Sequence, residues 1–411
     1  MKKTRPAGSL WMGVEKREIN PPPGVYLFGF PAQRVSRGVE SNLYVRTAVF
    51  GESSGKPVAV LTVIDTLYAS SALTEDIRRA AARRLPGLKP SAILVAATHT
   101  HSAPALQPHY MGKTDDGIFQ PHSAYRRKVI REAVNSIAGA WKNMRQVTMR
   151  IGEGSAALGH NRRPVTGGYA RNEWQDPRRR HTGYFNPAVP FVSFHDAGTG
   201  KIYAILAGYG CHPVTLGPGN CKASPDYPGY FVRALEKKTG AEAAIHISTG
   251  AANINPVQCL RDDAQLAKKM GNALSAEVIR SLKKSRPLDS VPVAVRSVPL
   301  RFRLKENIAN WPRANLIGAR AGSFLKTEVQ AIHLGDLVLV SAPGELFAEI
   351  AEKVARLSSA KKIMIVEHAN AAAGYIFTDA AALEGGYEVC RGSISESMER
   401  PYIAAALKAI G

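Results

Sequence analysis

The apolar run over residues 91–98 ends in two histidines one residue apart, His99-Thr100-His101. Neutral imidazole is the commonest protein ligand for zinc and the side chain best suited to moving protons near neutral pH. The two-residue spacing sends both rings to one side of a strand end, where open α/β sheets collect their ligands. Two loop histidines satisfied by hydrogen bonds give the same pattern, so the pair alone leaves a metal site and a plain loop both open. Four more polar clusters follow apolar runs in the same way: Cys211-His212-Pro213, Asn253-Ile254-Asn255-Pro256, Pro343-Gly344-Glu345 and Gly374-Tyr375. Strand ends lie side by side in a sheet, so these clusters are expected to converge on one site.

The elements that must hold them alternate between strand and helix. Residues 58–64 read as a continuous apolar strand, followed by a helix over 71–84 with Ile77, Ala80, Ala81 and Leu85 at helical spacing behind Thr74 and Glu75 as start signals. A helix over 124–141 carries Val129, Ala133, Val134, Ile137 and Trp141 on one face. Residues 191–194 and 202–206 flank Asp196-Ala-Gly-Thr-Gly200 as a hairpin. Pro228 falls in the first turn of a helix running through Leu235, with Asp226 as its expected cap. A short buried strand over 243–247 precedes a long amphipathic helix marked by Leu266, Met270, Leu274, Val278 and Leu282. Gly335-Asp336 reads as a tight turn between strands 331–334 and 337–340, another helix starts beyond Pro343, and 363–366 is a last buried strand. No repeat, low-complexity tract or linker interrupts this order. The pattern predicts one compact α/β domain over residues 1–411, with mixed β-sheets flanked by helices.

Composition narrows the classes of function. With 411 residues and 45% apolar content the chain can bury a large core. No run approaches the roughly 18 uninterrupted apolar residues of a membrane helix, so stable membrane insertion is not expected. The start, Met1-Lys-Lys-Thr-Arg-Pro, is basic, but residues 7–14 contain Gly8, Trp11 and Gly13 and run into Glu15-Lys16-Arg17-Glu18, which makes a poor signal peptide. The expectation is a cytoplasmic protein, or an exported one if a leader has been trimmed. Cys211, Cys221, Cys259 and Cys390 are few and irregularly spaced, which predicts buried free thiols rather than a disulfide framework. A Cys/His metal site around Cys211, His212 and Cys221 lacks the usual close cysteine pair. The net charge of +21 fits an anionic substrate or a solubilising surface. Only Arg178-Arg179-Arg180 forms a tight basic run, and no nucleic-acid-binding signature accompanies it, so no nucleic-acid partner is expected.

Taken in order, Glu18-Ile19-Asn20-Pro21-Pro22, Leu27-Phe28-Gly29, Thr98-His99-Thr100-His101-Ser102, Asn161-Arg162, Gly210-Cys211-His212-Pro213, Ser224-Pro225-Asp226-Tyr227-Pro228-Gly229, Pro343-Gly344-Glu345 and Gly374-Tyr375 to Tyr387-Glu388 span nearly the whole chain. In their number and order they resemble the catalytic domain of the neutral, non-lysosomal ceramidases, zinc amidases that cleave ceramide into sphingosine and a fatty acid. The resemblance implies a zinc ion held by His99, His212, Glu345 and Tyr375, with His101, Arg162 and Tyr387 around the metal-bound water and the scissile amide. The donor set makes chemical sense by itself: two imidazoles and a carboxylate suit zinc, with a phenol oxygen as a less common addition. Zinc lowers the pKa of bound water toward about 7 and polarises a carbonyl. His101 would then take the proton and pass it to the leaving amine, and Arg162 or Tyr387 would stabilise the oxyanion. Without the resemblance, Arg162 beside Arg163 reads as surface charge, Tyr387 as half-buried packing, and Glu345 as the cap of the helix it begins.

Two departures bear on the substrate. In the ceramidases the loop matching residues 250–256 has an Asp and a Ser, the Ser close to the scissile bond; here Asn253 and Asn255 stand there. An amide side chain is no nucleophile but can donate a hydrogen bond to a carbonyl, so Asn255 is assigned to the catalytic group as a donor. Full ceramidases also continue into a β-sandwich domain, whereas this chain stops at Gly411. The resulting expectation is a zinc-dependent hydrolase that cleaves a linear N-acyl amide with metal-activated water. Its substrate would be a small N-acyl or anionic molecule, smaller or more polar than ceramide. The alternative is a metal-binding protein of the same fold without turnover, acting as a basic binding module. Other His-x-His hydrolases fit less well: a metallo-β-lactamase wants Asp where Ala103 stands, and an amidohydrolase barrel wants regular βα units that the hairpin around residues 196–200 interrupts.

Overall fold

A computed structural model describes residues 10–31, 34–107, 121–305 and 324–411, with the backbone of 109–110 and 118–119. Residues 1–9, weighed above as part of a leader, lie outside the described residues. No described helix is long and apolar enough to cross a membrane.

A large mixed sheet runs in the order Ala243–Ser248, Ile202–Tyr209, Ala188–Asp196, Arg145–Ser155, Leu10–Glu18, Tyr44–Ser53, Lys56–Ile64 and Ile93–Ala97. Its central strands are antiparallel, and the outermost pair at each edge is parallel. A second sheet orders Val293–Arg303, Phe324–Leu334, Leu337–Ser341 and Lys362–Val366, with the last pair parallel. Ile332, Leu334, Leu339, Met364 and Val366 of this sheet bury themselves against Leu61, Leu94, Ile245 and Ile247 of the large one. Helices Ser71–Arg84 and Ser123–Lys142 cover one part of the large sheet's other face, and Asp226–Thr239 with Gln265–Leu282 another. Helices Ala348–Leu357 and Glu399–Ile410 cover the outside of the second sheet. The result is four layers, helix, sheet, sheet and helix. Strands such as Ile93–Ala97 are buried on both faces, which explains why they read as unbroken apolar runs instead of alternating ones.

Each parallel pair is joined through a helix: Lys56–Ile64 to Ile93–Ala97, Ile202–Tyr209 to Ala243–Ser248, and Leu337–Ser341 to Lys362–Val366. Every polar cluster singled out above follows one of these parallel strands, apart from Gly374-Tyr375, which is tied to Glu345 by the short pairing of Glu345–Leu346 with Tyr375–Ile376.

Some expectations change in detail. Helix Ser71–Arg84 is capped by Ser70, whose side chain accepts from the Leu73 amide at 3.2 Å, while Thr74 is buried inside it. Asp226 is the first helical residue of Asp226–Thr239, not its cap. Its backbone is left-handed, and its carboxylate fastens the preceding loop by accepting from the Leu216 amide at 2.9 Å and from the Thr215 hydroxyl. Only Cys211 and Cys259 are buried free thiols; Cys221 is partly exposed and Cys390 exposed, because the last two lie on loop and helix surfaces away from the core.

Candidate active site

Three imidazoles, His99 and His212 buried and His101 partly so, meet where the strand ends converge. His99 leaves its strand in a left-handed conformation, φ 65°, a sparsely populated geometry for a non-glycine residue that concentrates at functional sites. Its Nδ1 lies 2.9 Å from the Leu67 carbonyl, His212 Nδ1 lies 2.6 Å from the Ala251 carbonyl, and His101 Nδ1 lies 2.8 Å from the Gly29 carbonyl. A carbonyl only accepts, so each Nδ1 carries the ring's hydrogen and each Nε2 of the neutral ring presents a lone pair. The three histidines' ligand atoms lie within 4.8 Å of one another. Gly29 is required here: a Cβ added to it would fall 2.7 Å from the His101 Cβ, and its φ is 121°.

Glu345 completes the group. Its Oε2 lies 3.5 Å from His99 Nε2 and 3.3 Å from His212 Nε2, and those two nitrogens are 3.3 Å apart. Oε2 has no hydrogen-bond partner, while Oε1 accepts from the Tyr68 hydroxyl at 3.2 Å. Burial works to raise the Glu345 carboxyl, but the imidazoles of His99 and His212 outweigh it and hold the group well below the ordinary carboxylate range. Burial, and then the nearby Arg162 charge, push His212 down to about 4. His101 is lowered well below its ordinary value by burial and then by His99 and His212.

With neutral rings, three lone pairs thus meet in a buried space. A tetrahedral ion with bonds of about 2.0–2.1 Å separates its ligands by roughly 3.3–3.4 Å, so the observed spacings match what zinc asks of two imidazoles and a carboxylate. Tyr375, partly buried, stands opposite Glu345 in the short strand pair, its phenol raised well above its usual pKa by burial and then by Glu345. The helix-cap reading of Glu345 does not hold, because Ala348–Leu357 begins three residues later.

Arg162 forms the second part of the site. It is buried, not a surface charge: Nε donates to Glu388 Oε1 at 2.8 Å, Nη1 to Asn255 Oδ1 at 3.0 Å and Nη2 to Tyr375 Oη at 3.4 Å. Burial works to lower its pKa, and Glu388 more than offsets that, so the guanidinium stays charged. Its plane is surrounded by Trp174, Tyr375 and Tyr387, at 5.2, 5.9 and 5.8 Å from the ring centres. Tyr387 is 37% exposed and Trp174 38%, and the two meet edge to face at 5.0 Å. The Asn255 carboxamide is already engaged on both sides: Oδ1 accepts from Arg162 and Nδ2 donates to the Trp174 carbonyl at 3.0 Å. Asn255 therefore ties Arg162 to the Trp174 segment, and the second Nδ2 hydrogen is the one its expected role as a donor to a substrate carbonyl would use.

His99, His101, Arg162, His212, Asn255, Glu345, Tyr375 and Tyr387 all fall in this one cluster. The Cys/His alternative does not form, since Cys211 packs into the apolar core beneath Tyr227 and the Cys221 thiol turns to the Gly219 carbonyl. Four contributors were missed. Glu388 bridges Arg162 and Arg163, Tyr68 bonds Glu345, Glu367 braces two loops of the site, and His368 stacks on His99. Glu367 and His368 directly follow the strand Lys362–Val366, as His99 follows its own, so the strand-end rule would have found them.

An α/β fold with a cluster of histidine and carboxylate side chains at the carboxyl ends of its parallel strands defines the class: one whose site is compatible with a metal ion beside a charged guanidinium. The chain belongs to the neutral/alkaline non-lysosomal ceramidase family, whose N-terminal domain model matches residues 12–256. This family is metal-dependent and its members hydrolyse amides. In fold the chain is similar to the crystal structure of neutral ceramidase from Pseudomonas aeruginosa, with a TM-score of 0.78 and 18% identity over 98% of this chain and 74% of that one. It is also similar to a ceramidase complexed with C2, with a TM-score of 0.76 and 17% identity over 98% of this chain and 75% of that one. No curated protein matches it. Glu345, Tyr375 and Tyr387 lie beyond the stretch matched by the family model, so their place in the site rests on the geometry above.

Proposed function

We propose that this protein is a zinc-dependent hydrolase of N-acyl amides, converting an amide and water into a carboxylic acid and an amine. The observation that carries the proposal is the meeting of His99 Nε2, His212 Nε2 and Glu345 Oε2 at 3.3–3.5 Å, with the Nδ1 of each ring directed to a backbone carbonyl. These three, with Tyr375, would hold the ion. When bound, zinc would supply Lewis acidity toward water and the amide carbonyl.

The protein's own groups do the rest. His101 Nε2 is buried, without a partner and deprotonated at neutral pH, so it accepts the proton released by the attacking water and returns it to the departing nitrogen. Arg162 keeps N–H groups beyond its three protein bonds and directs them at the charge that develops on the carbonyl oxygen. Tyr387, whose phenol is raised above its usual pKa by burial, stays protonated as a second donor at the rim. Tyr68, whose ring lies 5.4 Å from His99, and Phe30, 5.1 Å from His101, are partly exposed, so an apolar acyl group has two rings to rest on, Tyr68 backed by buried Phe28, Leu67 and Ala105. The Trp174 and Tyr387 edges offer the opposite wall.

The test is release of primary amine from a panel of N-acyl compounds, graded from short polar acyl amino acids to ceramide, by protein stripped of metal and then reloaded with zinc. Turnover that appears only on reloading supports the proposal. Bound zinc without turnover on any member would favour the binding-module reading.

A further inference from the structure

Residues 367–370 connect the segments that carry the candidate ligands. Glu367, 1% exposed, accepts four hydrogen bonds: Oε2 from Ser248 Oγ at 2.8 Å, the Gly250 amide at 2.7 Å and the Ala251 amide at 2.8 Å, and Oε1 from the Leu346 amide at 2.7 Å. Both ends of this carboxylate border a ligand. Ala251 supplies the carbonyl that takes the His212 Nδ1 hydrogen, and Leu346 follows Glu345. His368 then lies flat on His99, with ring centres 3.9 Å apart and planes 2° from parallel. Its amide donates to the Gly344 carbonyl at 3.2 Å, and its carbonyl accepts from the Ala97 amide at 3.2 Å, two residues before His99. Asn370 closes the tie: its amide donates to the Val95 carbonyl at 2.8 Å, and its Oδ1 accepts from the Val95 amide at 3.0 Å. His368 and Asn370 are both left-handed, with φ of 53° and 63°, conformations that persist only where the surroundings over-determine them.

We propose that Glu367 and His368 are the positioning pair of this centre. Glu367 sets the separation of the His212 and Glu345 arms, and His368 fixes the plane of the His99 ring, so the three lone pairs are aimed before an ion arrives. Residues that orient metal ligands in this way govern affinity as well as activity. The inference rests on His99, His212 and Glu345 being the zinc ligands.

The test uses the full chain and needs no substrate. Zinc affinity is measured by competition with a chromophoric chelator, ligand geometry by the visible spectrum of the cobalt-substituted protein, and folding by melting of the metal-free form. Glu367→Gln turns one acceptor into a donor facing amide hydrogens; zinc affinity should fall about 10- to 100-fold, with an altered cobalt spectrum. His368→Ala should weaken binding in the same direction, and His368→Phe, which keeps a flat ring on His99, should restore it. If Glu367→Gln does not fold, Ser248→Ala removes a single bond to the carboxylate and should give a smaller loss of the same sign. Wild-type affinity and spectrum in variants that merely melt earlier would overturn the proposal and leave a plain tie between sheets. Failure of the unmodified protein to bind zinc or cobalt would instead overturn the zinc reading itself, and this inference with it.

Discussion

His99 Nε2 and His212 Nε2 face each other at 3.3 Å, while the Nδ1 of each ring points to a backbone carbonyl, so in the neutral rings both Nε2 atoms present lone pairs. Two lone pairs aimed at one point repel, and Glu345 Oε2 adds a third. Either a proton or a metal cation relieves this. Burial and Arg162 push His212 down to about 4, which disfavours a proton on that ring and favours a cation between the three groups.

Zinc should therefore stabilise the fold. At a free concentration a hundredfold above its Kd, an ion that binds only the native state adds about 2.7 kcal/mol. The metal-free protein should melt lower than the zinc form by the corresponding shift, read by differential scanning calorimetry. In His212→Ala, zinc should leave the melting temperature unchanged.

His101 is near the centre, yet its role differs from that of His99. His101→Ala should keep bound zinc, measured by elemental analysis, and lose about 10²- to 10⁴-fold in kcat through loss of general-base assistance. Loss of zinc together with activity would make it a ligand instead.

Arg162 acts through a fork and not as a point charge. Arg162→Lys keeps the charge but cannot bond Glu388, Asn255 and Tyr375 together. The expected loss in kcat is about 10²- to 10³-fold, the range for removing an oxyanion donor. Zinc content should stay at the level of the unmodified protein.

His246 gives the fold a pH dependence separate from catalysis. It is buried between the rings of Tyr227 and Phe231, and burial lowers it to about 3. Because the folded pKa is depressed below the ordinary 6.5, the unfolded chain binds the proton first. Stability present above pH 6.5 is lost as pH falls toward 3, at up to about 1.4 kcal/mol per unit. His246→Phe should flatten that part of the stability profile, measured by urea unfolding between pH 7 and pH 4.

Strands and helices were legible wherever periodicity was strong. The strand before His99 and the helix over 71–84 fall where their apolar spacing put them. Helix starts were less legible, since Ser70 and Thr74 are both plausible caps by type and only the packing of the first turn selects Ser70. The ligand residues were visible as polar clusters at strand ends, and the family resemblance sorted them. What escaped was pairing at a distance. Arg162 and Glu388 are 226 positions apart, and no local spacing announces that one carboxylate will bridge two buried arginines.

Asn255 shows the same division most clearly. Its residue type alone excluded a nucleophile, and that was readable from the chain. Whether its amide would face a substrate or the protein depended on where Arg162 and the Trp174 carbonyl came to lie. By itself the sequence determined the alternation of elements, the strand-end placement of the ligand types and the family, because these follow from local periodicity and motif order. Only the tertiary structure decided which lone pairs meet, which hydrogens are already committed and which buried charges are paired. Those depend on distances of a few ångströms between segments 32 residues apart for Leu67 and His99 and 226 apart for Arg162 and Glu388, which local spacing does not encode.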